Sequence, residues 1–123
     1  MIAYASRTGN VRFIISRLQL PAVEIEEGRT IGEPFLLFTY TDNLGEIPPR
    51  VKAFMAGSGT YCRGVIVSGN SNFGHRLFGA AGDAIARQWQ IPLVRKIDMR
   101  GFADDYEAIR SYYEQCFRKE LVG

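Results

Sequence analysis

Three short polar segments carry the residue types that could hold a ligand. The first is Ser6-Arg7-Thr8-Gly9-Asn10-Val11. Ser6 and Thr8 offer hydroxyl donors, and Gly9 lets the backbone turn tightly and approach a ligand closely. A helix opening at Asn10 would leave its first amides without intrahelical partners, with the positive end of the helix dipole behind them. That is the physics of an anion site. The segment has neither the lysine of a P-loop nor the three glycines of a dinucleotide fingerprint. An Asn N-cap following a strand accounts for the same residues, and both readings stand at this level. The second segment, Tyr40-Thr41-Asp42-Asn43-Leu44-Gly45, is polar and turn-rich. Tyr40 offers a π face, whereas Asp42 and Asn43 read as a plain connection. The third, Ser68-Gly69-Asn70-Ser71-Asn72-Phe73-Gly74, holds two Gly and two Asn in seven residues. That marks unusual backbone dihedrals, and Asn side chains supply both a donor and an acceptor. Phe73 either stacks on a ligand ring or anchors the loop into the core.

Little else in the chain points to chemistry. There is one histidine, His75, so a His-based metal site or a catalytic triad is not expected. His75 reads as an incidental residue at a helix start. Cys62 and Cys116 have neither metal-ligand nor redox-pair spacing, and neither begins a Cys-x5-Arg phosphatase loop. They are expected to be structural free thiols. With 15 Lys+Arg against 13 Asp+Glu the net charge is +2, too weak and too scattered for nucleic acid. No apolar run approaches the ~20 residues of a membrane helix. The N-terminus, Met-Ile-Ala-Tyr-Ala, shows no basic n-region and no h-region, which makes a reducing cytoplasm the expected location.

The elements that must position these loops alternate. Expected strands are Ile2–Ala5, Val23–Ile25, Phe35–Tyr40, Gly64–Ser68 and Leu93–Asp98, several of them continuously apolar, as strands buried on both faces are. Expected helices are Asn10–Leu18, Arg50–Met55 after Pro48-Pro49, Arg76–Trp89 and Asp104–Leu121. The last carries Ile109, Tyr112, Tyr113, Cys116 and Phe117 on one face. A segment without a helix, Glu26–Pro34, joins the second and third strands. Hydrophobic residues make up 46% and charged residues 23% of the 123 residues, which suits one soluble globular domain spanning 1–123. Strand–helix alternation implies an α/β three-layer sandwich on a parallel sheet of five strands. In such sheets ligands bind beyond the carboxyl ends of the strands, where strand order reverses. The three polar segments are the loops after the first, third and fourth strands.

Ser-x-Thr-Gly-Asn directly after an N-terminal strand resembles the phosphate loop of flavodoxins, which holds the terminal phosphate of FMN. Gly64-Val-Ile-Val-Ser-Gly-Asn-Ser-Asn-Phe-Gly, followed by Ala80-Ala-Gly-Asp83, Pro92-Leu-Val and Arg100-Gly101-Phe102, resembles the NrdI family over nearly the whole chain. The resemblance implies a flavodoxin-like sheet of order 2-1-3-4-5. It also implies FMN as cofactor. Carried over, the cofactor-binding residues are Ser6, Arg7, Thr8, Gly9, Asn10 and Val11 from the first loop. The second contributes Tyr40, Thr41, Asn43, Leu44 and Gly45, with a Gly45 carbonyl or amide near the redox nitrogen of the ring. The third contributes Ser68, Gly69, Asn70, Asn72, Phe73 and Gly74 toward the pyrimidine edge. Neither catalytic nor metal-ligating residues are implied.

For this family, reduced FMN reacts with dioxygen to give superoxide or a peroxide-level oxidant. The oxidant drives assembly of the dimanganese–tyrosyl radical cofactor in the small subunit of class Ib ribonucleotide reductase. The implied partners are that subunit, a flavin reductase and dioxygen, with no nucleic acid and no membrane. Charge agrees. A sequence pI near 8.7 and Arg7, Arg12 and Arg76 in or beside the ligand loops would disfavour an anionic reduced flavin less than an acidic protein would. Arg12 also reads as a solvated helix-face charge. Two other readings remain at this level: a one-electron carrier flavodoxin, and a flavin-free phosphate- or nucleotide-sensing module on the same fold.

Overall fold

The computed structural model describes residues 1–42, 45–74 and 76–118. In chain order its elements are β1 (Ile2–Tyr4), α1 (Asn10–Leu18), β2 (Ala22–Glu24), β3 (Phe35–Tyr40), α2 (Pro49–Ser58), β4 (Cys62–Gly69), α3 (Ala80–Trp89), β5 (Leu93–Asp98) and α4 (Ala103–Cys116). The five strands form one sheet in the order β2-β1-β3-β4-β5, and every neighbouring pair is parallel. This is the expected flavodoxin-like order. Strand order reverses between β1 and β3, which lie side by side at the centre.

Alternation along the strands feeds two cores. On one face Ile2, Leu36, Phe38, Ile66 and Ile97 pack against Val11, Ile14 and Leu18 of α1 and Ile109 and Tyr113 of α4. On the other, Ala3, Phe35, Leu37 and Val65 pack against Val51, Phe54 and Met55 of α2 and Ile85 of α3. Each large side chain buried here contributes about 1.5–3 kcal/mol of transfer free energy. The Glu26–Pro34 segment forms no helix, as expected. Ile31 pins it to the α2 side: its side chain is buried and its amide donates to Ser58 Oγ at 2.9 Å.

The expected helices after α1 differ at their ends, and α2 runs on to Ser58, past the expected Met55. α3 begins at Ala80, not Arg76. Gly79 sits at φ +64°, in the left-handed region, and a chain of turn hydrogen bonds from Gly74 to Ala80 precedes it. A Cβ at Gly79 would also meet the Lys96 Cδ at 2.8 Å, so the backbone approaches β5 where only glycine fits. Leu77 and Phe78 therefore leave the helical stripe. α4 spans Ala103–Cys116, and the end of the expected helix, beyond residue 118, lies outside the described residues. Cys116 is exposed, not on the buried face. Ile109, Tyr113 and Phe117, spaced by four, take that face and leave Cys116 beside it. Cys62 is buried as expected, and burial pushes its thiol up to about 11, so it is inert at neutral pH.

Two helical glycines should respond oppositely to alanine. In the first turn of α3, a Cβ on Gly82 would lie 2.6 Å from Val67 Cγ1 and 3.0 Å from Leu93 Cδ1, both held in the sheet. Gly82→Ala should destabilise the chain by about 1–3 kcal/mol through overpacking, despite the better helix propensity. In α2, a Cβ on Gly57 would meet only the Thr30 Cγ2 of a surface loop, at 3.3 Å. Gly57→Ala should stabilise by about 0.5 kcal/mol. Urea unfolding midpoints of the two variants check both signs.

Candidate functional site

The loop after β1 is built as an anion cradle. Gly9, at φ +94°, precedes α1 without any side-chain cap. The first intrahelical bond runs from Phe13 N to Gly9 O at 2.9 Å, and the Arg12 amide is taken by Ser6 Oγ at 3.3 Å. The amides of Asn10 and Val11 precede that ladder and point out of the helix end. No acidic residue occupies the first turn to compete for them. Asn10 is not the N-cap: it is the first helical residue, and its Oδ1 accepts from Arg100 Nε at 3.3 Å.

The loop after β3 supplies an aromatic wall and an unmet hydroxyl. Two guanidinium groups lie near the Tyr40 ring, Arg7 at 5.1 Å and Arg50 at 5.9 Å from its centroid. Arg50 Nη2 also donates to the Ser6 carbonyl at 2.6 Å, tying α2 to the first loop. The Thr41 Oγ1 is buried and lacks a hydrogen-bond partner. Beyond it, Asp42 and Glu46 exchange backbone hydrogen bonds at 2.8 Å in a tight turn. Gly45 sits in that turn with its amide spent on the Asp42 carbonyl, against Ala80.

The loop after β4 is pinned from β5. Asn70 Oδ1 accepts from Asn72 N at 2.9 Å, closing the 3-10 turn Ser71–Phe73. Both the hydroxyl and the amide of Ser71 donate to the Asp98 carboxylate, at 2.6 and 3.1 Å, and hold that carboxyl below its usual range. This anchor is fully present above the ordinary carboxylate range and is lost only as pH falls through the depressed value. Ser68 Oγ donates to the Met99 carbonyl at 2.7 Å.

The three loops enclose a cavity of about 400 Å³, inside the ~300–1,000 Å³ range of ligand clefts. Ser6, Arg7, Thr8, Asn10 and Val11 line it from the first loop, Tyr40 and Thr41 from the second, Ser68, Gly69, Asn70 and Phe73 from the third. Of the other expected site residues, Gly9 shapes the first loop from behind, and Gly45, Asn72 and Gly74 are not among the lining residues. Asn43 and Leu44 lie outside the described residues, as does His75. Phe73 is 69% exposed at the rim, which removes its role as a core anchor. Arg12 turns away to pair with Glu24, and Arg76 is exposed before α3.

Sequence reasoning missed Leu77, Met99, Arg50 and Arg100. Parallel topology held a usable signal for Arg50: it sits in the first turn of α2, and every helix in such a sheet starts at the ligand edge.

A family model described as "NrdI Flavodoxin like" matches residues 2–111. The chain belongs to the NrdI family. Among curated relatives, the SPbeta prophage-derived protein NrdI of Bacillus subtilis (strain 168) is 35% identical over 112 residues, covering 88% of this chain and 86% of that protein. The phage protein nrdI of Bacillus phage SPbeta matches with the same figures. Among solved structures, a short-chain flavodoxin associated with a non-canonical PDU bacterial microcompartment aligns with a TM-score of 0.67 at 19% identity, over 92% of each chain. That likeness shows the shared fold.

The cofactor of this NrdI family member is FMN, and the cavity fits it. Outward-facing amides meet a phosphate, a tyrosine face and apolar Leu77 and Met99 suit a planar ring, and the buried Thr41 hydroxyl awaits a polar partner. Thr41→Val should therefore act with opposite signs on the two states. Removing an unmet buried hydroxyl should stabilise the apoprotein by about 1 kcal/mol. The same change should weaken FMN binding, because the hydroxyl is then absent when its partner arrives. Urea melts of apoprotein and FMN titrations by fluorescence quenching read the two effects separately.

Proposed function

We propose that this chain activates a class Ib ribonucleotide reductase in the cytoplasm, working on the small subunit that carries the dimanganese–tyrosyl radical cofactor. The chemistry that bound FMN would supply is electron transfer to dioxygen, giving superoxide or a peroxide-level oxidant for that assembly. A flavin reductase returns the electrons. The protein's part is binding, orientation and electrostatics, and no side chain serves as nucleophile or general base.

One observation carries this reading beyond family membership: among the described residues none of those lining the cavity is acidic. The nearby carboxylates are engaged, Asp42 with Arg7 and Asp98 with Ser71. Negative charge appearing on the ring during two-electron reduction would meet little Coulomb repulsion. This favours two-electron delivery to dioxygen over the carrier flavodoxin. Tyr40 would cover a ring face and Thr41 would bond to its polar edge. Asn10 and Val11 amides would hold the phosphate, with Ser6 and Thr8 beside them. Exposed Phe73 and Met99, at 69% and 49%, leave one side of the cavity open to dioxygen and a partner. Among the described residues no helix is long and apolar enough to cross a membrane.

The test is radical assembly. The FMN complex is reduced without oxygen, mixed with the manganese-loaded class Ib small subunit of the same organism, and exposed to air. Tyrosyl radical measured by electron paramagnetic resonance should require both the reduced flavoprotein and oxygen. Absence of radical from a subunit that responds to another oxidant would contradict the proposal and leave the carrier reading.

A further inference from the structure

Four arginines stand at the first loop, and they divide by their partners. Arg7 pairs with Asp42 and Arg12 with Glu24, so the two that belong to the loop and its helix are neutralised. The two that arrive from elsewhere are not. Arg50 Nη2 donates to the Ser6 carbonyl at 2.6 Å, and Arg100 Nε donates to Asn10 Oδ1 at 3.3 Å. Both acceptors are uncharged. Among the described residues no carboxylate forms an ion pair with either guanidinium. Each is instead supported by a ring, Arg50 by Tyr40 at 5.9 Å and Arg100 by Phe13 at 4.3 Å. Such contacts hold a cation in place without cancelling its charge.

Their origins strengthen the point. Arg50 comes from the first turn of α2, on one face of the sheet, and Arg100 from the β5–α4 connection on the other. They land on the two ends of the same short loop, at Ser6 and at Asn10. The loop between them presents outward-facing amides, and no acid occupies the first turn of α1. Two uncompensated positive charges thus flank one anion cradle. A phosphomonoester carries about −1.5 to −2 at neutral pH, which is the charge that balances them.

We propose that Arg50 and Arg100 are the charge-selecting residues of this loop, making it prefer a phosphomonoester dianion over an uncharged flavin. The assignment rests on the FMN reading above and deepens it. Neither guanidinium lines the cavity itself; each is fixed to one end of the loop by one hydrogen bond, so each acts on a phosphate there as a flanking charge.

The experiment compares FMN with riboflavin, which has the same ring and lacks the phosphate. Dissociation constants are measured by flavin fluorescence quenching on wild type and on Arg50→Gln, Arg100→Gln, Arg50→Lys and Arg100→Lys, with circular dichroism confirming the fold. Each Gln variant should bind FMN about tenfold more weakly while riboflavin affinity changes less than about twofold. Each Lys variant should recover most of the FMN affinity, because the charge is kept. FMN binding by wild type should weaken with added salt more steeply than riboflavin binding. Equal losses for both flavins would make the arginines mere staples of the loop and overturn the assignment. So would unchanged FMN affinity in the Gln variants, or loss of FMN affinity in folded Lys variants when the Gln variants do not fold. A wild-type chain that binds FMN and riboflavin equally contradicts this assignment alone. One that binds neither contradicts the FMN reading and the assignment together.

Discussion

Right-handed crossovers between parallel strands put every strand-to-helix connection at one edge of the sheet, and the ligand chemistry of this chain depends on that edge. At the centre, β1 and β3 are neighbours while α1 and α2 pack on opposite faces. The loops that leave these two strands diverge, and a crevice opens between them. Ser6 and Tyr40 both line it. The buried strands have no other task than to hold that divergence still. This is why β3, completely buried from Phe35 to Thr39, becomes a ligand wall one residue later at Tyr40.

Electrostatics at the edge follow from how charges are matched. Asp42 is spent on Arg7, Asp98 on Ser71, Asp83 on Lys96, and Asp105 on Arg95 and the Phe102 amide. The Asp105 contacts also start α4 and fix the Arg100-Gly101-Phe102 segment that leads into it. The described lining of the cavity therefore carries no unpaired acid: Arg7 is its one charged residue and is paired with Asp42, and outward amides set the polarity of the first loop. Exposed pairs of this kind add little to stability, typically under ~1 kcal/mol each. Their consequence is the sign of the field at the cavity, which suits an anionic ligand. Family membership and this field point the same way, toward an FMN-binding flavoprotein.

Much of this was legible in the residues. Continuous apolar runs such as Phe35-Leu-Leu-Phe38 read as strands covered on both faces, and β3 and β5 have the expected bounds. Ser6-x-Thr8-Gly9-Asn10 was readable because glycine, hydroxyls and a helix start lie within one stretch of chain. What escaped was long-range. Arg50 and Arg100 are 44 and 90 residues from the loop atoms they bind, and no local pattern encodes that meeting. Arg12, close in sequence, was drawn to Glu24 of β2 instead. The start of α3 was misread because Leu77 and Phe78 keep helical spacing, while the close approach of Gly79 to β5 is a tertiary fact. The Asn10 N-cap failed for a similar reason, since its side chain is claimed by Arg100.

The most direct test of the central claim, that these three loops form the FMN site, is a residue-resolved map of binding. Amide nitrogen–proton correlation spectra of the isotope-labelled apoprotein would be followed as FMN is added. The account predicts saturation at one equivalent, with the largest shifts at Thr8, Asn10, Val11, Thr41, Gly69 and Asn70. Amides at the opposite edge of the sheet, such as Thr60 and Gln90, should stay unmoved. Shifts centred away from these loops, or spectra unchanged by FMN, would contradict it.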